Sequence, residues 1–142
     1  MDFRKHTLKI LPKRLAVCRL NADAPLPDWI EQSDFYSITR TEEELTVVCD
    51  EKLVVPGTKS ETGWRCLKVE GPLDFSETGI VFSLTQPLAE SAVPVFLIST
   101  FDTDYLMVKE RDLTKTINAI SAQGHQVITE NRGQRTEDRG RK

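Results

Sequence analysis

Two polar stretches, residues 73–81 and 99–104, carry the side chains best suited to bind a small charged molecule. In the first, Ser76 could serve as the N-cap of a helix, and Gly79 leaves room beside its first turn. In the second, Asp104 offers a carboxylate in a polar hinge between two apolar strands. Free N–H groups at a helix start can receive a carboxylate, while an Asp can receive an ammonium group. This pairing suits a small zwitterion, and an amino acid is the obvious candidate.

Each stretch also has an ordinary structural explanation. Asp102, Thr103 and Asp104 could be turn formers, because Asp and Thr side chains readily bond nearby backbone groups. Glu77 could be a first-turn residue that the helix dipole favours. Asp104, however, lies where an apolar strand resumes, which is an expensive place for a carboxylate without a partner. A cationic ligand group would supply one, provided that the two stretches meet in space.

Composition and charge limit the classes of protein to which the chain can belong. Its 142 residues can bury one core, or two small subdomains sharing a core, so we expect one compact unit. With 39% apolar and 29% charged residues, the composition is typical of a globular protein. The net charge is −3 and basic residues are in excess only near the ends, so we expect no nucleic-acid partner. No apolar run approaches the ~20 residues of a membrane span, so we expect no membrane contact and a cytoplasmic location.

The residues most often used in catalysis are sparse. His6 and His125 are the only histidines, and no Ser or Cys near either has a recognisable nucleophile context. Cys18, Cys49 and Cys66 are odd in number and lie in apolar runs, which indicates small core residues rather than disulfides or a zinc site. There is no Gly-rich phosphate loop, metal-ligand spacing or dinucleotide motif. We therefore predict no catalytic residue, no metal and no cofactor.

The apolar pattern of the first half predicts mainly strands. Pro12 separates the first two, because proline cannot sit inside a paired central strand. The predicted elements are strands at residues 7–11, 15–20, 35–40 and 45–49, one or two helical turns at 26–31, and a polar loop at 57–63.

The second half predicts the element order of a ferredoxin-like fold. Ile80, Leu84 and Leu88 recur at intervals of four, so one face of a helix belongs to the core, and Pro87 should weaken its last turn. Gly124 is well placed to end a second helix. The predicted order β-α-β-β-α-β comprises strands at residues 64–69, 93–98, 105–108 and 126–129 and helices at about 77–90 and 112–123.

A faint internal repeat relates the two halves. A shift of sixty residues places Ile38 on Ile98 and Glu44 on Asp104. The first half is then a degenerate copy with a shorter first helix. We predict an α+β fold of two tandem ferredoxin-like copies that share one sheet. The predicted domains are a first copy at residues 7–63, a second copy at 64–129 and a disordered tail at 130–142.

Several spaced strings resemble those of bacterial paired-ACT-domain proteins, and the likeness extends over about residues 7–128. Two of them, Phe-x-x-x-Gly-Ile-Val from Phe75 and Ile-Ser-Thr-Phe-x-x-Asp from Ile98, are similar to the ligand-binding module of CASTOR-type arginine sensors. The strings occur in the family's order at residues 15–20, 27–29, 39–41, 44–45, 69–75, 78–79 and 98–105.

The resemblance implies a non-catalytic, ACT-like regulatory module that binds an amino acid. It also implies where the ligand would lie, between a loop and helix start on one side and a facing strand end on the other. Asp74 departs from the arginine-binding pattern, which has glycine there, and its carboxylate either favours a cationic amino acid or narrows the pocket. The implied ligand-binding residues are Asp74, Glu77, Gly79, Ile80, Thr100, Phe101 and Asp104.

Two further expectations concern partners. The sheet edges and helical face that a two-copy unit leaves exposed are commonly covered by a symmetric partner, so we expect a homodimer. A regulatory module also implies a regulated protein, which the sequence does not name. The alternative to ligand binding is a protein-interaction adaptor with no small-molecule ligand.

Overall fold

The computed structural model describes residues 3–74 and 76–129, which fall into two compact units. The first unit joins Met1–Pro12 to Arg65–Lys142 and is called the discontinuous unit; the second, Lys13–Trp64, is called the inserted unit. The strands are β1 (Thr7–Ile10), β2 (Leu15–Leu20), β3 (Ser37–Arg40), β4 (Leu45–Asp50), β5 (Lys59–Val69), β6 (Phe96–Ser99), β7 (Asp104–Lys109) and β8 (Gln126–Thr129). The helices are α1 (Ile80–Glu90) and α2 (Leu113–Ala122), with short 3-10 helices at Asp28–Gln32, Glu51–Leu53 and Glu110–Asp112.

The discontinuous unit contains the strand order β6-β7-β5-β1-β8. Strand β1 lies between β5 and β8: Leu8 is opposite Val69 in an antiparallel pair and opposite Val127 in a parallel pair. Helices α1 and α2 pack against each other, and one face of α1 joins the core, as the four-residue spacing predicts. The buried side chains of this core include Leu8, Leu67, Val69, Leu84, Leu88, Leu106, Val108 and Ile120.

The position of β1 differs from the predicted domain division. Residues 7–11 were expected to open the first copy, but Thr7–Ile10 pairs with strands of the discontinuous unit. Leu8 and Ile10 alternate inward into the core of that unit, whereas local sequence pattern shows only that a strand is present and not its pairing partner. The predicted disordered tail, 130–142, lies outside the described residues.

The inserted unit is mainly antiparallel sheet. Strand β4 lies between β3 and β2, and the first part of β5 pairs with the other edge of β2. Its core contains Ile30, from the short 3-10 helix that takes the place of a full first helix. Cys18 and Cys49 of this unit, and Cys66 of the discontinuous unit, are free and buried, as predicted. The remaining core side chains of this unit are Ala16, Cys18, Leu45, Val47 and Cys49.

Two predictions about where elements begin are wrong, whereas the predicted end of α1 at residue 90 is correct. Helix α1 begins at Ile80 and not near residue 77, because Gly79 has a left-handed backbone (φ 78°) that a continuing helix cannot contain. Pro87 lies inside α1, which continues to Glu90. The predicted loop at 57–63 is strand from Lys59 onward, because its polar residues pair with β2 in the register Cys18 opposite Ser60. No helix within the described residues is both long and apolar enough to cross a membrane.

Candidate ligand-binding site

One cavity of about 400 Å³ in the discontinuous unit is lined by all seven residues that the sequence implied. Its walls come from the loop before α1, the first turn of α1, and the turn between β6 and β7. The two polar stretches therefore meet in space. The lining residues are Leu73, Asp74, Glu77, Gly79, Ile80, Val81, Phe82, Ser99, Thr100, Phe101, Asp102, Thr103 and Asp104.

Two threonines hold the turn between β6 and β7. The N–H of Thr100 donates to the carbonyl of Thr103 (2.8 Å), and the N–H of Thr103 donates to the Thr100 hydroxyl (3.3 Å). The buried Thr103 hydroxyl donates to the carbonyl of Val69 (2.5 Å), which anchors the turn to β5. These bonds close the turn without the Asp104 carboxylate, so that group is not needed as a turn former.

Asp104 is the first residue of β7 and stands opposite Ser99. Its carboxylate accepts a hydrogen bond from the Ser99 hydroxyl (2.6 Å) and is half-buried at the cavity wall. The sequence suggested a carboxylate that lacks a protein partner. The structure corrects this, because the strand pairing places a serine donor directly across from it.

Hydrogen bonds hold the loop before α1, both within the loop and to the β6–β7 turn. The N–H of Leu73 donates to the carbonyl of Asp102 (2.7 Å), which links the two walls of the cavity. The Asp74 carboxylate accepts from both the N–H and the hydroxyl of Ser76 (2.9 Å each), and these bonds lower the pKa of the exposed Asp74 carboxyl group. Ser76 was predicted to cap the helix, but it is bound to Asp74 instead.

The start of α1 has no side-chain cap. Gly79 occupies the N-cap position, and glycine has no side chain that could hydrogen-bond to the first turn. The first N–H groups of a helix have no partner within the helix, and they carry the positive end of its dipole. Because Gly79, Ile80, Val81 and Phe82 line the cavity, its wall includes this uncapped helix start. An anionic group of a ligand could bind there.

The N-terminal segment, residues 3–6, also reaches this site, and the sequence did not indicate it. Arg4 Nη1 lies 3.0 Å from Glu77 Oε1, and His6 Nε2 lies 3.5 Å from Glu77 Oε2. The Phe3 ring packs beside Gly79 and meets Phe82 edge-on, with centroids 5.8 Å apart. Arg4 and Glu77 are 73 positions apart, so no local spacing could have paired them.

The cavity is acidic. Four carboxylates line it, and no basic side chain does among the described residues. Burial lowers the pKa of His6, so this histidine is neutral near pH 7 and adds no charge beside Glu77. Arg4 is thus the cation nearest to the Glu77 carboxylate in the ion pairs of the described chain.

Both histidines and Cys66 are buried. The Nδ1 atom of His125 accepts the backbone N–H of His6 (3.0 Å), and burial lowers the pKa of both imidazoles. Burial also raises the pKa of the Cys66 thiol to about 12, which keeps it protonated and unreactive. Within residues 3–74 and 76–129, no cluster of three or more His, Cys, Asp or Glu residues could hold a metal ion.

The corresponding turn of the inserted unit has no acidic residue at the position equivalent to Asp104. The last pair of the β3–β4 hairpin is Arg40 opposite Leu45, and the last pair of the β6–β7 hairpin is Ser99 opposite Asp104. The two hairpins therefore match at an offset of 59 residues and not 60. The position of Asp104 is then occupied by Leu45, which is fully buried. The Arg40 guanidinium donates to backbone carbonyls of the loop at residues 22–24.

Comparison with known sequences finds an ACT domain within the chain. A sequence model of the ACT domain matches residues 59–122, from the first residue of β5 to the last of α2. Residues 59–122 of the chain thus match an ACT domain. A second model, described as an N-terminal domain, matches residues 13–57, within the inserted unit. The α+β, ACT-like class predicted from the sequence is therefore confirmed, as is the resemblance to the arginine sensors reported next.

Among curated proteins, this chain is similar to the cytosolic arginine sensor for mTORC1 subunit 1 of Bos taurus. The two are 33% identical over 98 residues, which cover 61% of this chain and 30% of the sensor. The chain thus spans less than a third of that relative. Among solved structures, protein Atu0741 from Agrobacterium tumefaciens is 38% identical, with a TM-score of 0.86 over 90% of this chain and 96% of that one.

Aspartate kinase from Clostridium acetobutylicum, described as an allosteric enzyme, shows the same fold at greater distance. Its TM-score is 0.59 at 10% identity, covering 78% of this chain and 33% of the kinase. At that identity the likeness concerns the fold alone.

Proposed function

We propose that the chain is a non-catalytic regulatory module that binds a free amino acid in the cavity between the start of α1 and the β6–β7 turn. The observation that carries this proposal is the meeting of an uncapped helix start and the Asp104 carboxylate across one cavity of about 400 Å³. That volume is within the usual range of small-molecule sites. The similarity to an arginine sensor supports the same assignment.

The two ends of the cavity have complementary roles in this proposal. The ligand carboxylate binds the first N–H groups of α1, where the helix dipole favours negative charge. The ligand α-ammonium binds Asp104, whose carboxylate the Ser99 hydroxyl holds in place. The implied contacts of Asp74, Glu77, Ile80, Thr100 and Phe101 are part of the proposal, supported by their place in the cavity wall.

The acidity of the cavity favours a ligand with a cationic side chain. Four carboxylates face a site that contains no basic side chain among the described residues. Opposite charges within a few ångströms interact strongly in a partly buried site. Arginine and lysine are the amino acids that meet this condition.

Three broader features belong to the same proposal. The two units are ACT-like copies that share a sheet, the inserted one degenerate, which is supported by β5 contributing residues to both. The module acts in the cytoplasm, as the name of the related sensor suggests, on a regulated protein not yet identified. It forms a homodimer, which the exposed side chains at its strand edges support.

A thermal-shift screen of the twenty amino acids tests the proposal. One or a few of the amino acids, with arginine or lysine among them, should raise the melting temperature. A ligand concentration of a hundred times Kd stabilises the folded chain by about 2.7 kcal/mol, which shifts the melting temperature by several degrees. Agmatine, which is arginine without its carboxylate, serves as the control and should give a much smaller shift. If no amino acid changes the melting temperature, the proposal is wrong.

The rival candidate is a protein-interaction adaptor. The observation that favours it is the exposure of two phenylalanines at the cavity, Phe101 (79%) and Phe82 (53%). Exposed aromatic groups are common in protein interfaces. An adaptor would show no thermal shift with any amino acid and would still bind a partner, so the same screen separates the two candidates.

A further inference from the structure

The ion pair between Arg4 and Glu77 involves one of the four carboxylates of the cavity. Glu77 lines the cavity and its side chain is 16% exposed, whereas the Arg4 side chain is 60% exposed and does not line it. Arg4 Nη1 donates to Glu77 Oε1 at 3.0 Å. A cation from outside the cavity wall is thus held against a carboxylate inside it.

Among the ion pairs of the described residues, Arg4 is the charged partner of the Glu77 carboxylate. His6, the other neighbour of that carboxylate, is buried and neutral near pH 7. Lys5 points elsewhere and lines a second cavity with His125. An ion pair with one exposed partner is weak, so a ligand cation can compete with Arg4 for Glu77 at small cost.

We propose that Arg4 is a specificity-determining residue, which lowers the preference of the cavity for amino acids with cationic side chains by occupying the Glu77 carboxylate. This inference rests on the proposed amino-acid binding. It concerns the choice among amino acids, and the α-carboxylate and α-ammonium contacts do not depend on it. Removing the Arg4 charge should therefore change selectivity and leave general amino-acid binding in place.

The test compares arginine with citrulline, its uncharged near-isostere, by calorimetric titration of the full chain. The quantity measured is the ratio of the citrulline Kd to the arginine Kd. Arg4→Gln should raise this ratio about twofold to fivefold, the range for a weak exposed pair. Arg4→Lys, which keeps the charge, should stay near wild type. Lys9→Gln removes a cation that pairs with Glu70 (3.8 Å) and does not line the cavity, so it should leave the ratio unchanged.

A Glu77→Gln background shows whether the effect passes through that carboxylate. There Arg4→Gln should no longer change the ratio, because the two residues act as one coupled pair. The inference is overturned by an unchanged or lowered ratio in Arg4→Gln, by an equal rise in Lys9→Gln, or by wild type binding neither arginine nor citrulline. If the wild type binds another amino acid in the screen, this inference fails while amino-acid binding stands; if it binds none of the twenty, the proposed function fails with it.

Discussion

At the scale of single residues, His6 and His125 make folding depend on pH. Their rings stack at 5.9 Å, both are buried, and burial lowers the pKa of each from 6.5. The unfolded chain therefore takes up protons near pH 6.5 that the folded chain does not. The contribution of the two histidines to the free energy of unfolding is thus fully present above this pH and decreases as the pH drops below it.

Denaturant unfolding between pH 7.5 and 5.5 measures this dependence. The free energy of unfolding should decrease toward pH 5.5, by at most about 1.4 kcal/mol per pH unit for each histidine. His6→Gln should reduce the slope, because one of the two linked groups no longer titrates. Equal slopes in the two proteins, or a wild type that gains stability at lower pH, would show that the pair does not carry the effect.

The seven residues that the family resemblance implied lie together in the structure, and their role in binding stays a prediction; their contact partners could not be predicted from sequence. The seven residues were carried over from two motifs of the resemblance, in two short stretches of the chain, and all seven line one cavity. Arg4 and His6 contact Glu77 from the far end of the chain, and the partner of Asp104 follows from strand register. Such contacts arise from tertiary packing, which residue spacing does not encode.

At the scale of elements, the start of α1 depends on Gly79. Its φ of +78° is a conformation that L side chains rarely adopt, and a Cβ there would collide with the Phe3 ring. Gly63 has nearly the same φ, +79°, but a Cβ added there would meet nothing within 4 Å. The two glycines thus separate backbone strain from steric contact.

Substitution of each glycine by alanine should destabilise the chain to different extents. Gly63→Ala should lose about 1–2 kcal/mol through left-handed strain alone. Gly79→Ala should lose more, because the Phe3 ring must also move, and Phe3→Ala in the same chain should remove the excess. Chemical unfolding of these three variants and of Phe3→Ala alone measures these values. Equal losses for the two glycine variants would indicate that Phe3 does not pack against Gly79.

Element type was more predictable than element boundary. The regular apolar positions Ile80, Leu84 and Leu88 mark a helix with a core face, and the structure buries all three. Its start could not be predicted, because Ser76 has the chemistry of an N-cap but bonds to Asp74 instead. The length of β5 was missed for a similar reason, since its polar first half is strand only through pairing with β2.

At the scale of the whole molecule, the discontinuous unit was the least predictable feature. The sequence shows two related halves, whereas β1 crosses from the start of the chain into the unit formed by the second half. A short strand such as Thr7–Ile10 has the same alternating pattern whichever strands it joins. Pairing between residues far apart in the chain is therefore outside what local pattern can specify.

The exposed edges of the discontinuous unit lead to a prediction about assembly. Among the described strands of this unit, β6 and β8 each pair on one side only, and they expose Leu97 and Ile128. Apolar side chains on open edges are commonly covered by a second copy. Sedimentation at micromolar concentration should show a dimer, and a monomer both with and without ligand would refute this.

The central claim, that an amino acid binds across the cavity with its ammonium group on Asp104, is tested most directly by calorimetric titration of Asp104→Asn. The side-chain oxygen of asparagine can still accept the hydrogen bond from the Ser99 hydroxyl, so the free protein should melt near the wild-type temperature. With the amino acid that gives the largest thermal shift, Kd should rise about tenfold to a hundredfold, corresponding to 1.5–3 kcal/mol for a hydrogen bond to a charged group. Asp112→Asn, the same change outside the cavity, should bind as wild type does. Unchanged affinity in Asp104→Asn, with a lowered melting temperature of the free protein, would contradict the claim and assign Asp104 to the hairpin alone.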